Sequence, residues 1–224
     1  MTPRDASAPP RSWRTGVLLL IAVAAGGALV FPYLSPDLAA GLETRSELHA
    51  ILLRAHVFTA LIALVLGPLQ FLPSIRARRR VHRVIGRCYL FAGILPSGLA
   101  GIPVALMADS PVTRVGLFIP AVAWLVTGWL ALRAARRRDF ATHQEWMMRN
   151  YALTFLAVTA RAVAPLILLA QAPFLDSLYG GSLDAAIAAT IPIGQWLGWI
   201  INLIIAEALI RARRKARRPH PVRP

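Results

Sequence analysis

The sequence predicts an all-α, polytopic membrane protein with six transmembrane helices, in which spans two to five form a four-helix core. Three observations carry this expectation. Hydrophobic residues fill 57% of the 224 positions and the mean hydropathy is +0.57, more apolar surface than a soluble domain of this length can bury. The apolar residues are gathered into six runs, each near the ~20 residues that a bilayer demands of a helix. The 25 Lys and Arg, against 10 Asp and Glu, lie in short clusters between those runs, which is the pattern of membrane topology. The net charge of +15 therefore points to the bilayer as partner and not to nucleic acid. A single cysteine, Cys88, excludes an internal disulfide, and no CxxC or paired Cys/His spacing offers a structural zinc or iron–sulfur site.

Residues 1–12 read as a cytoplasmic tail, 13–211 as the membrane domain and 212–224 as a second basic tail. The first span, about Trp13 to Leu34, is too long an apolar run for a cleaved signal peptide and is followed by five more. The loop after it is acidic, with Asp37, Glu43 and Glu47 against Arg45. The second span runs from about His49 to Pro73. It leads into SIRARRRVHRVIGR, which holds arginines at 76, 78, 79, 80, 83 and 87 and no acid. The third, about Gly86 to Met107, is loosened by Gly93, Pro96, Gly98, Gly101 and Pro103. The fourth, about Val112 to Ala135, ends on Arg133, Arg136, Arg137 and Arg138. The fifth continues from RRRDFATHQEWMMRNYALTFLAVTAR to about Ala170, and the sixth runs from about Ala185 to Ile210 and stops at RARRKARRPHPVRP. Every basic cluster falls on one side when both termini are cytoplasmic.

The fifth span organises the site. At 100° per residue His143, Asn150, Thr154 and Arg161 fall within about 20° of one line, and at ~1.5 Å per residue they cover roughly 27 Å of a ~30 Å bilayer. A polar stripe of that length needs partners. Span two supplies His49, His56, Ala63, Gly67 and Gln70 on one face, and span three supplies His82, Gly86, Tyr89, Gly93, Ser97 and Ala100. RRRVHRVIGRCYL and RRRDFATHQEWMMRNYAL share a basic run, a histidine, an arginine and a tyrosine, which pairs His82, Arg87 and Tyr89 with His143, Arg149 and Tyr151 and suggests a parallel pseudo-repeat.

Neutral imidazole is the usual axial ligand of b-type haem, so His82 and His143, at the starts of two parallel spans, are candidate iron ligands, with Arg87 and Arg149 placed for propionates. His56 and Arg161 are expected at similar depths, where ionisable groups are costly and normally functional. A quinone carbonyl or a small anion at Arg161, with His56 as proton carrier, is the rival use of that pair. Glu207 lies four residues before Arg211 and is expected to pair with it.

These runs resemble a bacterial family of predicted membrane proteins, domain of unknown function 2306, over about His49 to Pro165. The residues that carry the resemblance are His56, Gln70, His82, Gly86, Arg87, His143, Trp146, Met147, Arg149 and Arg161. It implies a bacterial inner-membrane protein. The chain is also loosely similar to transmembrane di-haem cytochromes b. That pattern needs histidine pairs, and span four has no histidine while His56 has no histidine partner, so one haem or none is expected in place of two. The candidate cofactor-binding set is His56, Gln70, His82, Arg87, His143, Arg149, Asn150 and Arg161. The leading expectation is electron or proton transfer through haem b or a quinone, with a redox partner. The alternatives are a proton-coupled carrier of a small anion and a structural or lipid-binding subunit. A hydrolase is not expected, because no serine, cysteine or acid dyad stands beside a base.

Overall fold

The computed structural model describes residues 12–34 and 46–217. The expected acidic loop and most of both tails lie outside these residues. Everything described is helix or short turn, and six helices are long and apolar enough to cross a membrane. They are α1 (Ser12–Leu34), α2 (Glu47–Leu69), the third span, α6 (Pro111–Arg136), the second part of the fifth span and α10 (Leu183–Arg217). The third span is composite, with α4 (Arg79–Arg87), a π-helical segment Cys88–Ile94 and α5 (Leu95–Leu106). The fifth divides into α7 (Phe140–Thr154) and α8 (Leu156–Gln171).

Local chemistry sets these boundaries. Ser46 accepts from the His49 N–H (3.1 Å), Ser110 from Thr113 (3.1 Å), and Asp139 from Thr142 (3.0 Å), so α2, α6 and α7 each begin on a side-chain cap. The π segment has a cause in Pro96, which has no N–H for an α-helical bond. The helix widens before it, and the Leu95 N–H bonds the Leu90 carbonyl five residues back. The fifth span breaks at Phe155, where ψ rises to 0°. Thr154 Oγ1 bonds back to the Asn150 carbonyl (3.0 Å), the kind of local bond that bends helices. The straight line expected from His143 to Arg161 is thus interrupted before Arg161. The basic stretch between spans two and three is not a plain loop. It folds into α3 (Pro73–Ala77) and α4, and the connection after α8 holds a further short helix, α9 (Leu175–Tyr179).

The core is built where α2, the third span, α6 and α7 meet, and its buried cluster is Ala63, Tyr89, Ile94, Trp124, Ala131, Met147, Tyr151 and Leu153. Span one packs on the outside against α2. Span six is more integral than expected. It lies along α8, α7 and α6, and α8 leaves the four-helix core to pair with it. Gly198 makes that pairing close, since a Cβ there would stand 2.9 Å from the Leu156 carbonyl oxygen. Gly93 does the same for spans two and three, because its Cβ would meet the Ala63 Cβ at 2.9 Å and the Ala63 backbone nitrogen at 3.0 Å. Gly93→Ala must therefore push two backbones apart and is expected to destabilise by about 1–3 kcal/mol, as overpacking does. Gly27→Ala, which meets nothing within 4 Å, leaves the thermal midpoint in detergent unchanged; equal midpoints for the two variants would refute the close approach.

A buried polar hub and a histidine pair at the basic end

Asn150 has no exposed surface. Its amide donates to the Trp124 carbonyl (2.7 Å) and to Thr127 Oγ1 (2.9 Å), and its Oδ1 accepts from the Tyr89 hydroxyl (2.6 Å). Thr154 Oγ1 lies 3.0 Å from the same hydroxyl and accepts from Trp124 Nε1 (2.8 Å). Tyr151, next in sequence, donates to the Leu64 carbonyl (3.0 Å). Spans two, three, four and five are thereby joined through one polar knot in the hydrocarbon. Both amide protons of Asn150 are spent on the protein, so this candidate binding residue has no donor left for a ligand.

About two turns toward the end that carries the arginine clusters, His82 of α4 and His143 of α7 come together. Their ring centroids are 6.5 Å apart and their planes nearly perpendicular, at 87°. His143 Nδ1 bonds the Ala131 carbonyl (2.9 Å), which leaves Nε2 as its outward nitrogen. His82 Nδ1 is buried and has no partner among the described residues. Gln70, 6% exposed, is similarly placed, with Nε2 buried and unpartnered. Its Oε1 lies 3.1 Å from where a Cβ on Gly86 would be, so the amide occupies the gap that this glycine leaves one turn beyond His82. His143 meets its carbonyl partner twelve residues earlier, and twelve residues before His82 stands Gln70. The two halves correspond in position, but only one histidine is anchored.

The remaining candidates are dispersed. Arg149 forms a two-pronged ion pair with Glu207 of α10 (2.5 and 3.2 Å) and lies 4.6 Å from the centre of the Trp146 ring. Glu207 thus pairs across helices and not with Arg211 as its spacing suggests, because α10 turns that face onto α7. Glu145 and Arg214 form a second such clasp. Arg87 is exposed. His56 is held in the half of the bundle away from the arginine clusters, where its Nδ1 lies 2.9 Å from the Ser97 carbonyl and 3.1 Å from Ser97 Oγ, with Gly101 against the ring. Arg161 is exposed on α8 and, among the described residues, donates to the Ala157 carbonyl on its own helix (3.3 Å). No bond joins His56 to Arg161 among the described residues. Two further buried atoms without partners among the described residues, Gln195 Oε1 and Trp199 Nε1, lie on α10.

The profile of a family of predicted membrane proteins, DUF2306, matches residues 53–210. The chain belongs to this family. The match extends beyond the core into α10 and so takes in the Arg149–Glu207 pair as well as His56, Gln70, His82 and His143. No curated protein and no solved structure matches the chain.

Sequence reading did not anticipate Trp124 and Thr127, because a tryptophan and a threonine in an apolar run are indistinguishable from packing residues. Tyr89→Phe removes the proton that Asn150 Oδ1 accepts and strands a buried acceptor. The expected loss is about 1–3 kcal/mol of stability, read as a lowered thermal midpoint, whereas Tyr179→Phe, at a turn outside the hub, leaves the midpoint unchanged.

Proposed function

We propose that this protein is a redox carrier of the bacterial inner membrane, centred on His82, His143 and Gln70 at the cytoplasmic end of the bundle. The observation that carries the reading is the convergence of two imidazoles from separate spans at 6.5 Å. Metal–imidazole bonds are about 2 Å long, and two of them together with the two ring radii span a distance of this size. A b-type haem iron between His82 and His143 is the group that best suits such a pair. The backbone bond to His143 Nδ1 supports the same role, since a fixed outer nitrogen orients the inner one for ligation. The arginines expected to meet propionates fit less well. Arg149 is engaged by Glu207, and Arg87 lies about 140° around α4 from His82 at 100° per residue. When bound, the haem would supply one-electron transfer; the chain's own residues hold and orient it.

A second reading is favoured by one observation, the unpartnered His82 Nδ1 and Gln70 Nε2. Both can donate, and the carbonyl oxygens of a quinone head group are acceptors that would satisfy them.

The test is an absorption spectrum of detergent-purified protein from haem-replete cells, before and after dithionite reduction. A Soret band and a reduced α-band are expected, lost in His82→Ala and in His143→Ala and kept in His49→Ala. A blank spectrum of the intact protein overturns the haem reading. In that case a short-chain quinone should raise the thermal midpoint of the wild type and not of Gln70→Leu, and no shift in either overturns the redox centre.

A further inference from the structure

The connection α3–α4 carries a second site. At 100° per residue, α4 divides into three arcs. Arg79, Arg80, Arg83 and Arg87 fall within one arc of about 100°, and all are exposed, as are Arg76 and Arg78 before them. Val81, Val84 and Cys88 share the next arc, and they too are exposed, at 37% and 57% for the valines; Phe91, 52% exposed, prolongs this strip along the third span. Ile85, His82 and Gly86 take the remaining arc, toward the core. An exposed basic arc flanked by an exposed apolar strip that continues into a transmembrane helix belongs at the boundary between head groups and acyl chains. A soluble protein or nucleic-acid partner would have no use for the apolar strip.

The arginines also lack counter-charges. The carboxylates described at this end are already engaged. Glu207 holds Arg149, Glu145 holds Arg214, and Asp139 caps α7. None of the six elbow arginines joins an ion pair among the described residues. Guanidinium groups bind phosphate in two-pronged fashion, and Arg79 and Arg83 stand one turn apart on a single face.

We propose that the α3–α4 elbow binds the phosphate of an anionic phospholipid, with an acyl chain lying along Val81, Val84 and Phe91. This inference does not depend on the redox reading. The experiment is a thermal-midpoint titration of the full chain in detergent with phosphatidylglycerol or phosphatidylcholine. Phosphatidylglycerol raises the midpoint, and the effect fades in high salt. R79Q/R80Q/R83Q/R87Q raises the half-saturating lipid concentration at least about tenfold, whereas R133Q/R136Q/R137Q, a loss of three charges at the same end, raises it less than about threefold. Equal losses in the two variants, or an equal response to phosphatidylcholine, overturn the site. Should the elbow variant fail to fold, a photoactivatable phosphatidylglycerol is applied to the wild type. Label concentrated between Ile75 and Phe91 supports the site, and label spread evenly or centred on 133–138 overturns it.

Discussion

Hydrocarbon offers no hydrogen bonds, so a carboxamide enclosed there must find every partner within the protein, at a cost of several kcal/mol for each group left unmet. Asn150 is that carboxamide, and the core is arranged to satisfy it. Span four gives a carbonyl and a threonine hydroxyl, span three gives a tyrosine hydroxyl, and Tyr151 beside it reaches span two. Each bond fixes a helix in height and rotation as well as in distance. Apolar packing between lipid-bathed helices does not specify height so sharply, because one leucine contact resembles the next.

Once the hub sets the register, the geometry at the basic end follows. His82 lies seven residues before Tyr89 and His143 seven before Asn150, so both return to nearly the same face two turns below the knot. The halves differ in what stands opposite each histidine. Ala131 offers a bare carbonyl and anchors His143, whereas the corresponding position before His82 holds Gln70, whose amide nitrogen is itself unpartnered among the described residues. The hub around Asn150 is satisfied, whereas His82 Nδ1 and Gln70 Nε2 are left unmet among the described residues. Gln195 Oε1 and Trp199 Nε1 on α10 are likewise unmet among the described residues, so what sets the His82 corner apart is the second imidazole beside it. The ion pairs Arg149–Glu207 and Glu145–Arg214 brace the same end by tying α7 to α10.

Much of this was legible in the residues. Six apolar runs with arginine at alternate ends located every span, because length and charge placement are the two properties a bilayer enforces. The side-chain caps Ser110 and Asp139, which begin α6 and α7, emerge only from the structure. The break at Phe155 was not legible, because the apolar pattern continues through it and the cause is one threonine bonding back to its own helix. The partner of Glu207 was hidden by Arg211, a plausible local partner at four residues' distance, and only the packing of α10 on α7 decides between them. His56 and Arg161 share a depth on paper. What separates them is lateral position, which periodicity along single helices does not encode: the one bonds Ser97 and the other its own turn on α8.

The convergence of His82 and His143 at the basic end is the central feature, and proximity in a native membrane tests it most directly. In a Cys88→Ser background, His82→Cys and His143→Cys are introduced together and treated in inner-membrane vesicles with a short thiol cross-linker that does not cross the bilayer. A covalent link between the two positions, formed in inside-out vesicles and absent from right-side-out ones, is the predicted result. No link from either side, while each single cysteine still reacts, would contradict the convergence, and a link formed only from the outer side would contradict the orientation.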